Sequence, residues 1–165
     1  MKNNTELQCL KDDGFIGFKT IKELKMSMAV VPAEKGVYVV FRPNDRQPEF
    51  LQIGTGGFFK QKNPNIPVSE LATHWVEESS IVYIGKAGGK GKATLKSRIG
   101  QYMRFGKGCS VGHWGGRLIW QLKDADDLVV CWKKTEEDPR GVEKKMIKDF
   151  KEQHNGRRPY ANLKD

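Results

Sequence analysis

Four features of this 165-residue chain combine residue types that could act on a phosphate group. Two short strings, Gly36-Val37-Tyr38 and Tyr83-Ile84-Gly85, each place a phenol near a glycine in an apolar, β-like run. Arg98 and Glu143 follow later in the chain. A guanidinium can clamp a phosphate oxygen, a carboxylate can hold a hard cation, and a phenol can orient or deprotonate a water.

Glu143 falls on the apolar side of the last predicted helix. At 100° per residue, Val142, Met146, Ile147 and Phe150 share an arc of about 140°, and Glu143 lies inside it. A buried carboxylate without a partner is costly. Two interpretations are therefore open: a salt bridge or edge position that only serves structure, or a ligand for a hard metal ion such as Mg²⁺.

Arg98 lies at the border of the apolar stripe of a predicted helix over Ala93–Phe105, four residues before Tyr102. An arginine at the border of a core face has a fixed direction and a partly shielded charge, which suits a phosphate clamp. The alternative is a surface arginine whose stem packs on the tyrosine.

The net charge of +9 is confined to one stretch of the chain. From Lys86 to Lys123 there are nine Lys or Arg residues and no Asp or Glu, so the remaining 20 basic and 20 acidic residues cancel. Such a block predicts a polyanionic partner, although a solvated basic face is the alternative. The predicted nucleic-acid contacts are Lys90, Lys92, Lys96, Arg104, Lys107, His113 and Arg117.

Several other classes of protein are disfavoured. The hydrophobic content of 38% is ordinary, and neither a membrane-spanning run nor a signal-peptide core is present, so we expect a cytoplasmic protein without a membrane partner. Three scattered cysteines and three scattered histidines fit neither a disulfide framework nor a zinc site. The glycine- and lysine-rich stretch 86–92 lacks the spacing of an NTPase phosphate loop.

The patterning predicts a single domain of the α/β (α+β) class. Residues 1–35 are poorly patterned and are treated as an N-terminal extension, residues 36–165 form the motif-bearing core, and residues 42–80 form an insertion. The predicted strands are Val37–Phe41, Ile81–Ile84 and Leu128–Trp132. The predicted helices of the core are Ala93–Phe105, 113–122 and Pro139–His154, the last with Asp138 as N-cap.

Taken in order, the motifs resemble the GIY-YIG nuclease family over about residues 36–165. The resemblance rests on Gly-Val-Tyr, on Tyr-Ile-Gly-Lys-Ala, on Arg98 with Tyr102, on Glu143, and on Asn162 near the end. It implies a small three-stranded, mainly antiparallel core sheet flanked by helices. It also implies DNA phosphodiester hydrolysis with one divalent metal, Mg²⁺ or Mn²⁺, in each active site.

The resemblance assigns catalytic positions to Tyr38, Tyr83, Lys86, Arg98, Tyr102, Glu143 and Asn162, with Glu143 as the metal ligand. Tyrosine at 102, where some members have histidine, is similar to the excision-repair branch. A phenol is a poor base at its usual pKa of about 10, but neighbouring positive charges would favour the phenolate. Tyr38 is the preferred base or water-positioning group and Tyr83 the second choice.

The insertion departs from the short hairpin that usually joins the motif tyrosines, and it resembles the elaborated restriction members. It could carry DNA contacts or a dimer interface, and a targeting partner protein is also open. The function expected is that of a metal-dependent DNA endonuclease. The alternatives are a catalytically silent nucleic-acid-binding module of the same fold and an unrelated small α/β domain.

Overall fold

The computed structural model describes residues 2–165, with side chains from residue 4 onward. Four antiparallel strands form one sheet in the order β1-β4-β2-β3, with helices on both faces. The strands are β1 Ile16–Thr20, β2 Gly36–Phe41, β3 Ile81–Ala87 and β4 Val129–Lys134. The α-helices are α1 Lys2–Asp12, α2 Ile21–Met26, α3 Val68–His74, α4 Leu95–Gly106 and α5 Pro139–Gln153. Within these described residues no helix has the length and apolar character of a membrane span.

The mixed α/β class is confirmed, but the three-stranded sheet is wrong because β1 adds a fourth strand. This strand pairs with β4, with Ile16 opposite Trp132 and Thr20 opposite Val129. It comes from the stretch that the sequence left unpatterned. Gly17 and Phe18 have φ angles of 97° and 54°, and the register shifts across them, so the strand has no regular alternation for a sequence pattern to reveal.

β2 is one of the two interior strands, and its register explains why the second motif needs a glycine. All six of its residues are buried, and Tyr38 lies directly opposite Gly85 of β3. A Cβ on Gly85 would overlap the Tyr38 ring and lie 2.7 Å from its hydroxyl oxygen. The glycine therefore provides the space in which the phenol lies.

The sheet separates two apolar clusters. One face carries Tyr38 and Tyr83 and packs against α2, α4 and the segment after α4. The other face carries Val39 and packs against α1 and α5. The predicted apolar arc of α5 is confirmed, since Ile147 and Phe150 are buried there. Each fully buried large apolar side chain contributes about 1.5–3 kcal/mol, so these two interfaces fix both helices against the sheet.

Both helices that carry site residues have a capped first turn: α5 begins at the predicted Pro139, and α4 begins at Leu95 instead of the predicted Ala93. Thr94 and Ser97 form a reciprocal capping box at the start of α4, and Asp138 caps α5 with Pro139 in its first turn. The helix predicted over 113–122 is shorter and tighter than expected: a 3₁₀ helix spans Arg117–Gln121, and another spans Ala125–Asp127.

Candidate active site

Five of the residues singled out from the sequence line one cleft of about 670 Å³. Tyr38 reaches it from β2, Tyr83 and Lys86 from β3, Arg98 from α4 and Glu143 from α5. The tyrosines belong to one face of the sheet, whereas Glu143 lies on the helix that covers the other face. The cleft thus joins groups from both sides of the sheet.

Glu143 is half-buried and has no close cationic partner. Among the side chains described, none forms a salt bridge with it within 4.0 Å. Burial raises the pKa of Glu143, and the positive charges of Lys86, Arg98 and Arg140 oppose that rise. The salt-bridge interpretation of this carboxylate is therefore wrong for the described part of the chain, and its oxygens face a cationic cleft.

The donor set of the cleft fits only one kind of metal site. The described residues contain no group of three or more His, Cys, Asp and Glu side chains that could hold a metal. A site built entirely from protein ligands, as zinc prefers, is therefore not formed by them. Mg²⁺ is commonly held by one or two carboxylates together with waters and a substrate phosphate, and Glu143 fits that pattern.

The Arg98 guanidinium is fixed along one edge. Its Nη1 donates to the carbonyl oxygen of Gly112 at 2.8 Å and to Oε1 of Gln101 at 3.3 Å. Its other N–H groups form no hydrogen bond with the described residues, and the side chain lines the cleft. A guanidinium held in this way can present two donors to a phosphate without reorganising.

The two motif tyrosines resist ionisation. Their ring centres are 6.0 Å apart, and Tyr38 is wholly buried. Burial raises the pKa of Tyr83 to about 12, with the Glu143 carboxylate adding to the rise and Arg98 opposing it. Burial and the neighbouring phenol likewise hold the pKa of Tyr38 well above its usual value, despite Arg98. Arg98 lowers the pKa of both phenols, as expected of a nearby positive charge, but desolvation by burial outweighs it, so the side chains of the protein alone do not favour a phenolate.

His113 was predicted to contact nucleic acid, and this is wrong because its side chain is wholly buried. Its Nε2 lies 2.6 Å from the hydroxyl oxygen of Tyr38, and its ring stacks on Tyr102 at 3.8 Å with an interplanar angle of 4°. Burial, helped by Arg98, holds the pKa of His113 well below its usual value. A neutral imidazole is thus hydrogen-bonded to the phenol of Tyr38.

Tyr102 and Asn162 form hydrogen bonds with backbone groups next to the site. The Tyr102 hydroxyl donates to the carbonyl oxygen of Gly116 at 2.6 Å and does not line the cleft. The Asn162 amide accepts from the backbone N–H of Ile84 and donates to its carbonyl oxygen, both at 2.9 Å. That pair of bonds fixes β3 between Tyr83 and Gly85, so both residues position the motif strands.

Most of the predicted nucleic-acid contacts are exposed. Gly88 and Gly91, in the loop that carries two of them, line the cleft itself. Arg117 differs from the rest because it is partly buried, with its guanidinium 4.4 Å from the centre of the Trp114 ring. The exposed members are Lys90, Lys92, Lys96, Arg104 and Lys107.

The sequence interpretation missed one residue of the site, Arg140, and one contact within it, that of His113 with Tyr38. Arg140 lines the cleft and lowers the pKa of Glu143, and its place three residues earlier on the same helix could have revealed it. The contact between His113 and Tyr38 joins residues 75 apart in the chain, and no local pattern marks it.

Comparison with protein-family models, with curated proteins and with solved structures found no match for this chain.

Proposed function

We propose that this chain is a metal-dependent DNA endonuclease that hydrolyses phosphodiester bonds in the cleft. The observation that carries the proposal is the meeting of Glu143, which forms no salt bridge with the described side chains, with Arg98 and Lys86 beside two buried phenols. Hydrolysis of a phosphodiester needs an aligned water, positive charge on the phosphoryl oxygens and help for the leaving oxygen. The motif order that resembles the GIY-YIG family supports the same chemistry.

The charged side chains that line the cleft would stabilise the negative charge of the phosphate. Arg98 clamps a non-bridging phosphate oxygen through the N–H groups that the protein leaves unpaired, and Lys86 adds a second positive charge. Glu143 would hold one Mg²⁺ or Mn²⁺. When bound, that ion would neutralise charge on the phosphate and on the departing oxygen.

The hydrogen bond between Tyr38 and His113 supplies a base without requiring a phenolate. In the tautomer of the neutral imidazole that carries its proton on Nδ1, the phenol O–H donates to Nε2, and the phenol oxygen keeps a lone pair for a water in the cleft that Tyr38 lines. As the water oxygen bonds to phosphorus, its proton passes to the Tyr38 oxygen and the phenolic proton passes to Nε2 of His113. The bond from phosphorus to the leaving oxygen then breaks, and that oxygen takes a proton from solvent.

DNA is the proposed substrate because α4 and the loop before it, which carry the exposed basic residues of the stretch 86–123, also line the cleft through Gly88, Gly91 and Arg98. Phosphate contacts of this kind give affinity without sequence specificity.

The test is nicking of supercoiled plasmid with Mg²⁺ or Mn²⁺ by the pure protein, beside Arg98→Ala and Glu143→Gln. We expect the wild type to convert plasmid to the open-circular form and each variant to be slower by roughly 10²–10³-fold. Glu152→Gln, an exposed acid of the same helix, and Arg46→Ala, an exposed arginine of the insertion, are the matched controls and should keep the wild-type rate.

Three results would contradict the proposal. Binding of DNA without any cleavage, with either metal, would favour the catalytically silent module. Nicking that survives Glu143→Gln would remove the metal role of that carboxylate. Equal losses in the two control variants would show that the effects come from charge or stability and not from the cleft.

A further inference from the structure

A tight hairpin in the middle of the insertion contains no glycine at its turn. Phe59 and Lys62 form an antiparallel bridge, and the Lys62 N–H donates to the Phe59 carbonyl at 2.9 Å. Lys60 and Gln61 between them have φ angles of 51° and 65°. Turns of this type usually hold Asn or Gly, because other residues are disfavoured at positive φ. The chain thus places a lysine and a glutamine where glycine would be easier.

This hairpin, called here the 58–62 tip, lies at the Arg98 end of the cleft. The Phe59 ring is the neighbour that a Cβ on Gly112 would meet, at 3.6 Å, and the carbonyl of Gly112 is the acceptor that holds Arg98. The Gly57 N–H donates to the carbonyl oxygen of Phe105, in the last turn of α4, at 2.9 Å. The tip is therefore attached to the helix and the loop that fix the arginine.

The surface around the tip has no negative charge from either segment that forms it. Residues 50–69 contain no Asp or Glu, and neither do residues 86–123. Backbone hydrogen bonds join the two, from Leu51 to Gln121 at 2.7 Å and from Thr55 to Trp120 at 3.1 Å. Folding thus extends the basic stretch next to the cleft by the two lysines of the tip.

Residues 50–69 leave two large apolar side chains in solvent, Ile53 and Phe58, and Phe58 is the aromatic one. Phe58 is 53% exposed, whereas the adjacent Phe59 is partly buried against the core. The Lys60 ammonium lies 5.3 Å from the centre of the Phe59 ring, which holds that charge on the side of the tip facing Gly112. An exposed aromatic ring close in sequence to two lysines matches the apolar wedges that proteins insert between base pairs.

We infer that the 58–62 tip binds duplex DNA beside the bond to be cut, with Lys60 and Lys62 on backbone phosphates and Phe58 wedged between base pairs. The choice of DNA as the partner and the position beside the bond to be cut both rest on the proposed function. The wedge opens the stack at one step, which makes the insertion responsible for which DNA steps are accepted in the cleft.

The test measures binding without cleavage, in EDTA, to a short fluorescein-labelled DNA duplex. We expect Phe58→Ala to weaken binding by roughly tenfold, since stacking on an aromatic side chain contributes about 1–3 kcal/mol. We expect Lys60→Gln with Lys62→Gln to lower the slope of log K against log salt by about 1.8, at 0.9 for each phosphate contact. Ile16→Ala, at an equally exposed apolar residue of the edge strand β1, is the matched control and should bind like the wild type.

A duplex containing 2-aminopurine reports the wedge directly, because unstacking brightens this base. Brightening by the wild type and by Ile16→Ala, but not by Phe58→Ala, supports the inference. Wild-type affinity and brightening in Phe58→Ala would overturn it, and so would a loss seen only on single-stranded DNA. Plasmid nicking separates the two proposals. If Phe58→Ala binds DNA more weakly but the wild type never nicks plasmid, only the endonuclease proposal is refuted. If the wild type nicks plasmid and Phe58→Ala binds DNA as tightly as the wild type, only the role of the tip is refuted.

Discussion

The cleft places its charged groups in front of an uncharged wall of aromatic rings. Lys86, Arg98 and Glu143 line the opening, while Tyr102 and His113 stack behind Tyr38. Burial keeps both phenols protonated and the imidazole neutral, so the wall can pass a proton without holding a charge at rest. The opening can then carry the net positive charge that a phosphate requires.

The hydrogen bond between Tyr38 and His113 predicts a double-mutant cycle. Gln at 113 keeps a hydrogen-bond acceptor but cannot take up a proton, so His113→Gln should slow nicking by about 10²-fold, and Tyr38→Phe by a similar factor. If the two residues act as one unit, the double variant should be no more than about threefold slower than either single variant. Nicking rates at saturating plasmid, with thermal melting as the check on folding, measure this.

A merely structural role for His113 predicts a different result. The rate losses would then multiply in the double variant, and His113→Gln would lose stability in proportion to activity. Multiplied losses at unchanged melting temperature would also remove the proton transfer from the mechanism.

Arg140 is predicted to set the acid limit of activity. Burial raises the pKa of Glu143, and Arg140 is one of the charges that oppose this rise. Arg140→Gln should therefore raise that pKa further. Since the ionised carboxylate is the active form, the low-pH limb of the nicking rate should move to higher pH, with little change in the plateau rate.

The matched control for this shift is Lys145→Gln on the same helix, because Lys145 pairs with Asp149 and does not act on Glu143. Its pH profile should superimpose on that of the wild type. An unmoved limb in Arg140→Gln would mean that Glu143 does not control the acid side of the profile.

At the scale of elements, patterned and capped segments could be predicted and interrupted ones could not. β2, β3 and β4 lie within three residues of their predicted bounds because branched and aromatic residues form continuous runs there. α5 is fixed by Asp138, Pro139 and its apolar arc. β1 was missed because Gly17 and a register shift interrupt it, and pairing with β4 stabilises it only after folding.

The same contrast applies to the site. Arg98 and Glu143 could be placed because a helix has a fixed period, and both do line the cleft. His113 could not be placed because its ring is held by Tyr102 and Tyr38, which arrive from other elements. Its neighbours Gly112 and Gly115 gave no indication of burial, so the residue was taken for a surface contact.

The pairing of β2 with β3 predicts that Gly85 tolerates no side chain. The Cβ of Gly85→Ala would overlap the ring of Tyr38, so we expect a loss of about 1–3 kcal/mol in the free energy of unfolding. Displacement of the Tyr38 hydroxyl from His113 should also lower the nicking rate. Urea unfolding and plasmid nicking measure the two effects.

Gly141 supplies the opposite case. A Cβ there meets nothing within 4 Å, and the residue lies in the first turns of α5. Gly141→Ala should therefore stabilise the protein by roughly 0.5–1 kcal/mol through helix propensity. If Gly85→Ala were as harmless as Gly141→Ala, the close packing of the motif glycine against the phenol would be refuted.

At the scale of the whole molecule, the positive charge is distributed unevenly, as it already is along the sequence. The excess of nine positive charges comes from residues 86–123, and α4 lies on the face of the sheet opposite to α1 and α5. α4 and the loop before it therefore present basic side chains without any acid, although the chain as a whole carries 20 acids. A polyanion is attracted to such an acid-free basic segment.

This asymmetry predicts that position, and not net charge, controls the salt dependence of DNA binding. A triple variant in which Lys90, Lys92 and Lys96 are replaced by Gln should have a slope of log K against log salt that is lower by up to about 2.7, at 0.9 per lost phosphate contact. A second triple variant, in which Lys11, Lys145 and Lys148 of α1 and α5 are replaced by Gln, loses the same number of positive charges from the other side of the sheet. Its slope should equal that of the wild type. Titrations of a DNA duplex at several salt concentrations in EDTA compare the two proteins at equal net charge. Equal slopes for both triple variants would mean that DNA responds to the total charge alone, and the basic face beside the cleft would then have no role in binding.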